Sequence, residues 1–144
     1  MIWAFVVTSI GCYYRGDVAP DPALQVAGPA RAAEAIALAE ARLGFKAQPV
    51  YWYGKAAMAC PDGVTFHSPV GCVYGITGGN GSIVSWDESS PASATPLGHE
   101  LVHQARWDDD HADLALWGET RGGDDYEAGT VVGDLNAALM AAGL

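Results

Sequence analysis

An α+β domain is what this sequence predicts, on three observations. The first third carries an apolar stripe at helical spacing. The middle third switches to short β-branched and aromatic runs parted by Gly and Asn clusters, and the last third returns to a helical pattern. The expected architecture is a backing helix, a small and mainly antiparallel sheet, and two further helices. A chain of 144 residues is a single-domain length with enough apolar material for one core.

Residues 1–10 (MIWAFVVTSI) form an apolar run closed by Gly11-Cys12. Two readings stand for 1–12. The run resembles the end of a bacterial lipoprotein signal, in which a small residue precedes a lipidated Cys. That would make Cys12 a lipid anchor and the protein exported, periplasmic or membrane-anchored, although no Lys or Arg precedes the run. The other reading is a buried first strand of a cytoplasmic protein. Ten residues are too few for a stable membrane-spanning helix. Cys60 and Cys72 bracket the strand-like Val64-Thr65-Phe66, so a disulfide closing that loop is plausible and would contribute about 3 kcal/mol. Such a bridge needs an oxidising compartment. The alternative is three unrelated thiols in a reducing one.

Residues 13–28 are Pro-, Ala- and Asp-rich without a period and read as a linker, leaving 29–144 as the domain proper. A helix is expected from Pro29 to Leu43, with Pro in its first turn, Gly44 past its end, and Ala32, Ile36, Ala39 and Leu43 facing inward. Strands are expected at 50–53, 64–67, 72–77 and 82–86, the last two joined across Gly78-Gly79-Asn80-Gly81. Thr95-Pro96 gives a start signal, N-cap then Pro, for a helix running through His99 and His103 to about Trp107. An acidic irregular stretch, 108–123, precedes a final helix at about 125–142.

The net charge of −10, from 17 acidic against 7 basic residues, argues against nucleic acid as a partner, since no Lys/Arg cluster offsets it.

The chemistry is concentrated in His99-Glu100-Leu101-Val102-His103. Residues four apart share a helix face, with Cβ atoms roughly 5–6 Å apart. Two imidazoles so placed can converge on one ion at about 2.0–2.1 Å. Glu100, beside them, is set to hold a water and take its proton during attack on a carbonyl. The competing reading is a surface helix with two solvated histidines. The start signal and the apolar Leu97, Leu101, Val102 and Ala105 argue against it.

This run resembles the active-site helix of the zincin metallopeptidases, whose order of backing helix, sheet, active-site helix and further ligand is similar to 29–144. The resemblance implies Zn2+ as cofactor, a peptide or protein as substrate, His99 and His103 as ligands and Glu100 as general base. The metzincin branch departs from this sequence: its turn Gly and following ligand correspond to Arg106 and Asp109, and His111 lies two residues late. Glu127, 24 residues beyond His103 and at the start of the expected last helix, is similar to the glutamate ligand of gluzincins. On that helix it would head a stripe of Val131, Leu135 and Ala138. Glu119 and Asp109 are the substitutes, and Asp124 with Glu127 also has capping-box spacing. Larger gluzincins carry an Asp where Val131 stands, which leaves the carboxylate behind the histidines to Asp134 or the cluster 108–110. Tyr126, His111 and Arg121 are candidates for stabilising the oxyanion, with Tyr126 taken as the catalytic one. Residues 82–86 would take substrate as an added strand.

An exported lipoprotein that binds a partner, with a structural metal or none, and a zinc hydrolase acting on non-peptide substrates are the alternatives. The enzymatic reading requires the two rings to face one another and an acidic side chain to complete the coordination sphere.

Overall fold

The computed structural model describes residues 13–14, 20–54, 72–74, 81–87, 91–106, 111–118 and 126–144. Residues 1–10, Cys12, Cys60 and the expected strand at 64–67 lie outside these, as do Asp109, Glu119, Arg121, Asp124 and Asp125. Among the described residues helices and strands are mixed, in the order β1 (Tyr13–Tyr14), α1 (Ala32–Leu43), β2 (Val50–Gly54), β3 (Cys72–Tyr74), β4 (Gly81–Trp86), α2 (Leu97–Arg106), α3 (Leu114–Trp117), α4 (Val131–Ala141). The α+β expectation holds at this level.

The sheet is not mainly antiparallel. Its order is β1-β3-β4-β2. β2 runs parallel to β4 from Val50↔Ser82 to Gly54↔Trp86, and β1 runs parallel to β3, while β3 and β4 alone pair antiparallel. The antiparallel pairing expected between β3 and β4 is present, and residues 75–80 between them lie outside the described residues. β2, however, reaches β4 with the whole of 55–80 between them, room enough for the crossover that parallel pairing requires. Turn chemistry is local and readable; strand order across a long connection is not.

β4 lies between β3 and β2, and Gly81 to Ser85 are buried in succession rather than alternately, as in an interior strand covered on both faces. A substrate strand added along 82–86 is accordingly ruled out on the β2 side, where all five register positions are occupied. On its outer side β2 is itself strapped by the lead-in: Val26 N donates to Trp52 O at 2.8 Å, and Gln25 bridges Tyr53. The Tyr53 hydroxyl donates to Asp21 O at 3.2 Å. Burial of that phenol raises its pKa above the ordinary value.

α1 stops where expected, at Gly44, whose φ of 68° lies in the left-handed region that favours glycine. It starts at Ala32, with Pro29–Arg31 forming a preceding turn closed by Ala32 N donating to Pro29 O at 2.9 Å. Its buried face is Ala35, Ala39 and Leu43, with Ala32 and Ile36 on the margin. Arg31 ties the head of α1 to the chain end by donating to Gly143 O at 3.0 Å. Ala35, Ala39, Leu43, Val84, Leu97, Leu101, Val102, Trp117, Val132, Leu135 and Leu139 make the common core.

Candidate metal centre

α2 begins as its sequence dictates. Thr95 Oγ1 accepts from Leu97 N at 3.2 Å, and the first helical bond runs from Glu100 N to Pro96 O. The helix is not a surface element: every residue from Leu97 to Gln104 is buried. Leu97, Leu101 and Val102 are fully sequestered, which removes the reading of two solvated histidines. Two further devices fix its position. Gln104 donates to Ser82 Oγ at 2.7 Å and accepts from Gln48 N at 2.8 Å, binding α2 to β4 and to the α1–β2 connection. At Gly98, an added Cβ would overlap the side chain of Asn136 on α4, which would have to shift for the two helices to approach as they do.

His99 and His103, 6% and 2% exposed, face one another with Nε2 atoms 3.1 Å apart. The third member of the group is His111. Its Nε2 stands 3.1 Å from that of His99 and 3.0 Å from that of His103. Among the described residues, the set of potential ligand atoms lying within 4.8 Å of one another is these three, without Glu127. His111 is reached by the chain leaving α2, and its φ of 56° makes it the one non-glycine left-handed residue among those described.

Three imidazole nitrogens at the corners of a triangle of side 3.0–3.1 Å cannot be reconciled by hydrogen bonds alone. A single ring N–H can point well at one neighbour, and the remaining lone pairs then oppose one another. A cation between them answers all three. The triangle is small enough that one ion could reach every corner at about 2.0–2.1 Å. Imidazoles suit Zn, Cu, Ni and Fe rather than Mg or Ca. Three buried histidines gathered in this way could hold a metal ion.

The remaining sequence candidates are disposed as follows. Glu100 is fully buried on α2. Glu127 is half-buried in the turn before α4, where its carboxylate occupies the space a side chain on Gly118 would need. The expectation that it opens a helix is corrected: α4 starts at Val131, because Gly129 adopts φ 88° and Thr130 caps the helix by accepting from Gly133 N at 3.0 Å. Glu127 therefore heads no helical stripe; Leu135 is buried, while Val131 and Ala138 are only partly so. Tyr126 is 56% exposed, and its hydroxyl donates to Ser93 O at 3.3 Å. Asp134 is exposed and accepts from Gly129 N at 2.9 Å, a local turn contact.

α3 was absent from the sequence reading, although Asp113-Leu-Ala-Leu-Trp-Gly118 carries its signals. Asp113 accepts from Ala115 N at 2.9 Å as N-cap, and Gly118 ends the turn at φ 83°. This short helix delivers Trp117, 0% exposed, beneath the histidines. Its ring centroid lies 4.7 Å from His99, 4.3 Å from His103 and 4.5 Å from His111.

The chain matches no protein-family profile, no curated protein and no solved structure. Function is therefore argued from the site itself.

Proposed function

We propose that this protein is a zinc-dependent metallohydrolase, and specifically a peptidase of zincin-like design, with His99, His103 and His111 holding the ion and Glu100 acting as general base. The observation that carries the reading is the convergence of the three Nε2 atoms within 3.1 Å of one another, two of them from the helical His-Glu-x-x-His run. His111 takes the ligand place that the sequence alone gave to Glu127.

Zinc supplies Lewis acidity there, polarising a carbonyl oxygen and making a water acidic near neutral pH. The chain's own residues do the rest. The three histidines would hold the ion through an imidazole lone pair each, as neutral donors. Glu100, adjacent to His99 and buried, accepts the proton of the attacking water at its carboxylate and returns it to the leaving amine. Burial from Leu97 to Gln104 keeps bulk solvent from competing for that proton.

The test is metal analysis of protein purified without chelators, together with digestion of a peptide mixture by wild type and Glu100→Gln. One zinc per chain, and cleavage that falls by about 100-fold or more in the variant, is the expected result. Apo-protein, or equal cleavage by both, overturns it.

Burial of the histidines at 2–8% exposure favours a second reading, a purely structural ion in a binding module. A hydroxamate separates the two. It binds an ion with an open position and leaves a closed structural site untouched.

A further inference from the structure

We propose that Trp117 is the positioning residue of this centre: its indole is the platform against which all three imidazoles are oriented toward a common point. The inference rests on the metal-binding reading above and adds to it the element that shapes the site before an ion arrives.

The geometry is specific. Indole and imidazole planes meet at 46° for His99 and 38° for His103, tilted contacts, and at 78° for His111, an edge-on contact. The three imidazoles meet one another at 45–69°, so each ring leans on two others and on the indole. An imidazole on a helix keeps a broad freedom about its last torsion. Packing on both sides removes that freedom, and here one fully buried side chain supplies a wall for all three rings.

The wall is itself rigidly held. Trp117 N donates to Asp113 O at 3.1 Å and Gly118 N to Leu114 O at 2.8 Å. His111 and Trp117 belong to one short described segment, 111–118, so the third histidine and the platform are placed together. A bound cation would place positive charge on the imidazoles, and an indole whose centroid lies 4.3–4.7 Å from theirs is the aromatic ring best suited to stand beside it. A leucine of similar reach would fill part of the space without a face or a fixed plane.

The experiment compares wild type, Trp117→Phe and Trp117→Leu, each confirmed folded by circular dichroism. Zinc Kd is measured by competition with a chromophoric chelator, and the visible absorption of the Co2+ form reports the coordination geometry. Loss of a group that orients metal ligands weakens metal binding about 10–100-fold. We expect that range for Trp117→Leu, with an altered Co2+ spectrum, and restoration to within a few-fold of wild type by the aromatic Trp117→Phe. Equal Kd and identical spectra in Trp117→Leu overturn the proposal.

Should Trp117→Leu fail to fold, wild type decides. Its Trp117 indole NMR signal, assigned by absence from Trp117→Phe, should shift on adding one equivalent of zinc, and an unmoved signal overturns the proposal. Failure of wild type itself to take up zinc overturns the underlying metal reading instead, so the two failures are distinguishable.

Discussion

The two halves of the three-histidine cluster, the candidate metal centre, are built in opposite ways. On α2, His99 and His103 are four residues apart, so helical periodicity alone turns them to one face. His111 and Trp117 come from a segment with an unusual backbone at His111, a four-residue helix, and a glycine end. Nothing periodic relates them to α2. A helix writes its ligand pair into the sequence, whereas a loop writes its ligand only into the packed structure.

That contrast can be broken or sharpened by substitution. The largest effect belongs to the helical half: Glu100→Gln should retain the fold and the metal while peptide hydrolysis falls by about 10²–10⁴-fold, read from initial rates on a cleaved peptide. The turn that leads into α4 comes next. At Gly133 an added Cβ would overlap the backbone of Glu127, which has no torsion with which to yield. Gly133→Ala should cost about 3 kcal/mol, lowering Tm by about 6–12 °C in a thermal melt. At Gly98 the obstacle is the Asn136 side chain, which has some freedom. There Gly98→Ala should cost about 1–2 kcal/mol in the same melt.

Smaller still is the cap of α4. Thr130→Ala removes the acceptor for Gly133 N and should destabilise by about 1 kcal/mol in urea unfolding. Least of all is the surface pair Arg31–Glu34, 49% and 59% exposed, where Glu34→Gln should leave Tm unchanged within error. The Arg31 hydrogen bond lowers the Glu34 pKa, so whatever that pair contributes is present above the ordinary carboxylate pKa and lost as acid titrates Glu34 through its lowered one.

What was legible in the sequence follows the same division. The His99–His103 pair, the Thr95-Pro96 start of α2 and the Gly44 stop of α1 were readable because each is set by residues within a turn or two of one another. The anchoring of α2 by Leu97, Leu101 and Val102 followed from the same local pattern, whereas the full burial of Glu100 did not. The parallel pairing of β2 with β4 was not readable, because register across a long connection depends on what covers the sheet. The start of α4 was placed too early: Asp125 to Glu127 look like a helical first turn, yet Gly129 and Thr130 together make the stronger start signal. With the helix moved, the ground for Glu127 as a ligand moved too. His111 is set aside as a ligand in the sequence because it lies two residues beyond the metzincin spacing, which leaves it only as an oxyanion candidate. The available signal was composition: of four histidines in the chain, three meet at one point.

The most direct test of the account is zinc binding by His111→Ala and Glu127→Ala beside wild type, measured as Kd by chelator competition on folded protein. The account expects one tight site in wild type, a loss of at least about 100-fold in His111→Ala, and no more than a few-fold change in Glu127→Ala. Unchanged binding in His111→Ala, with the loss falling on Glu127→Ala, would contradict it.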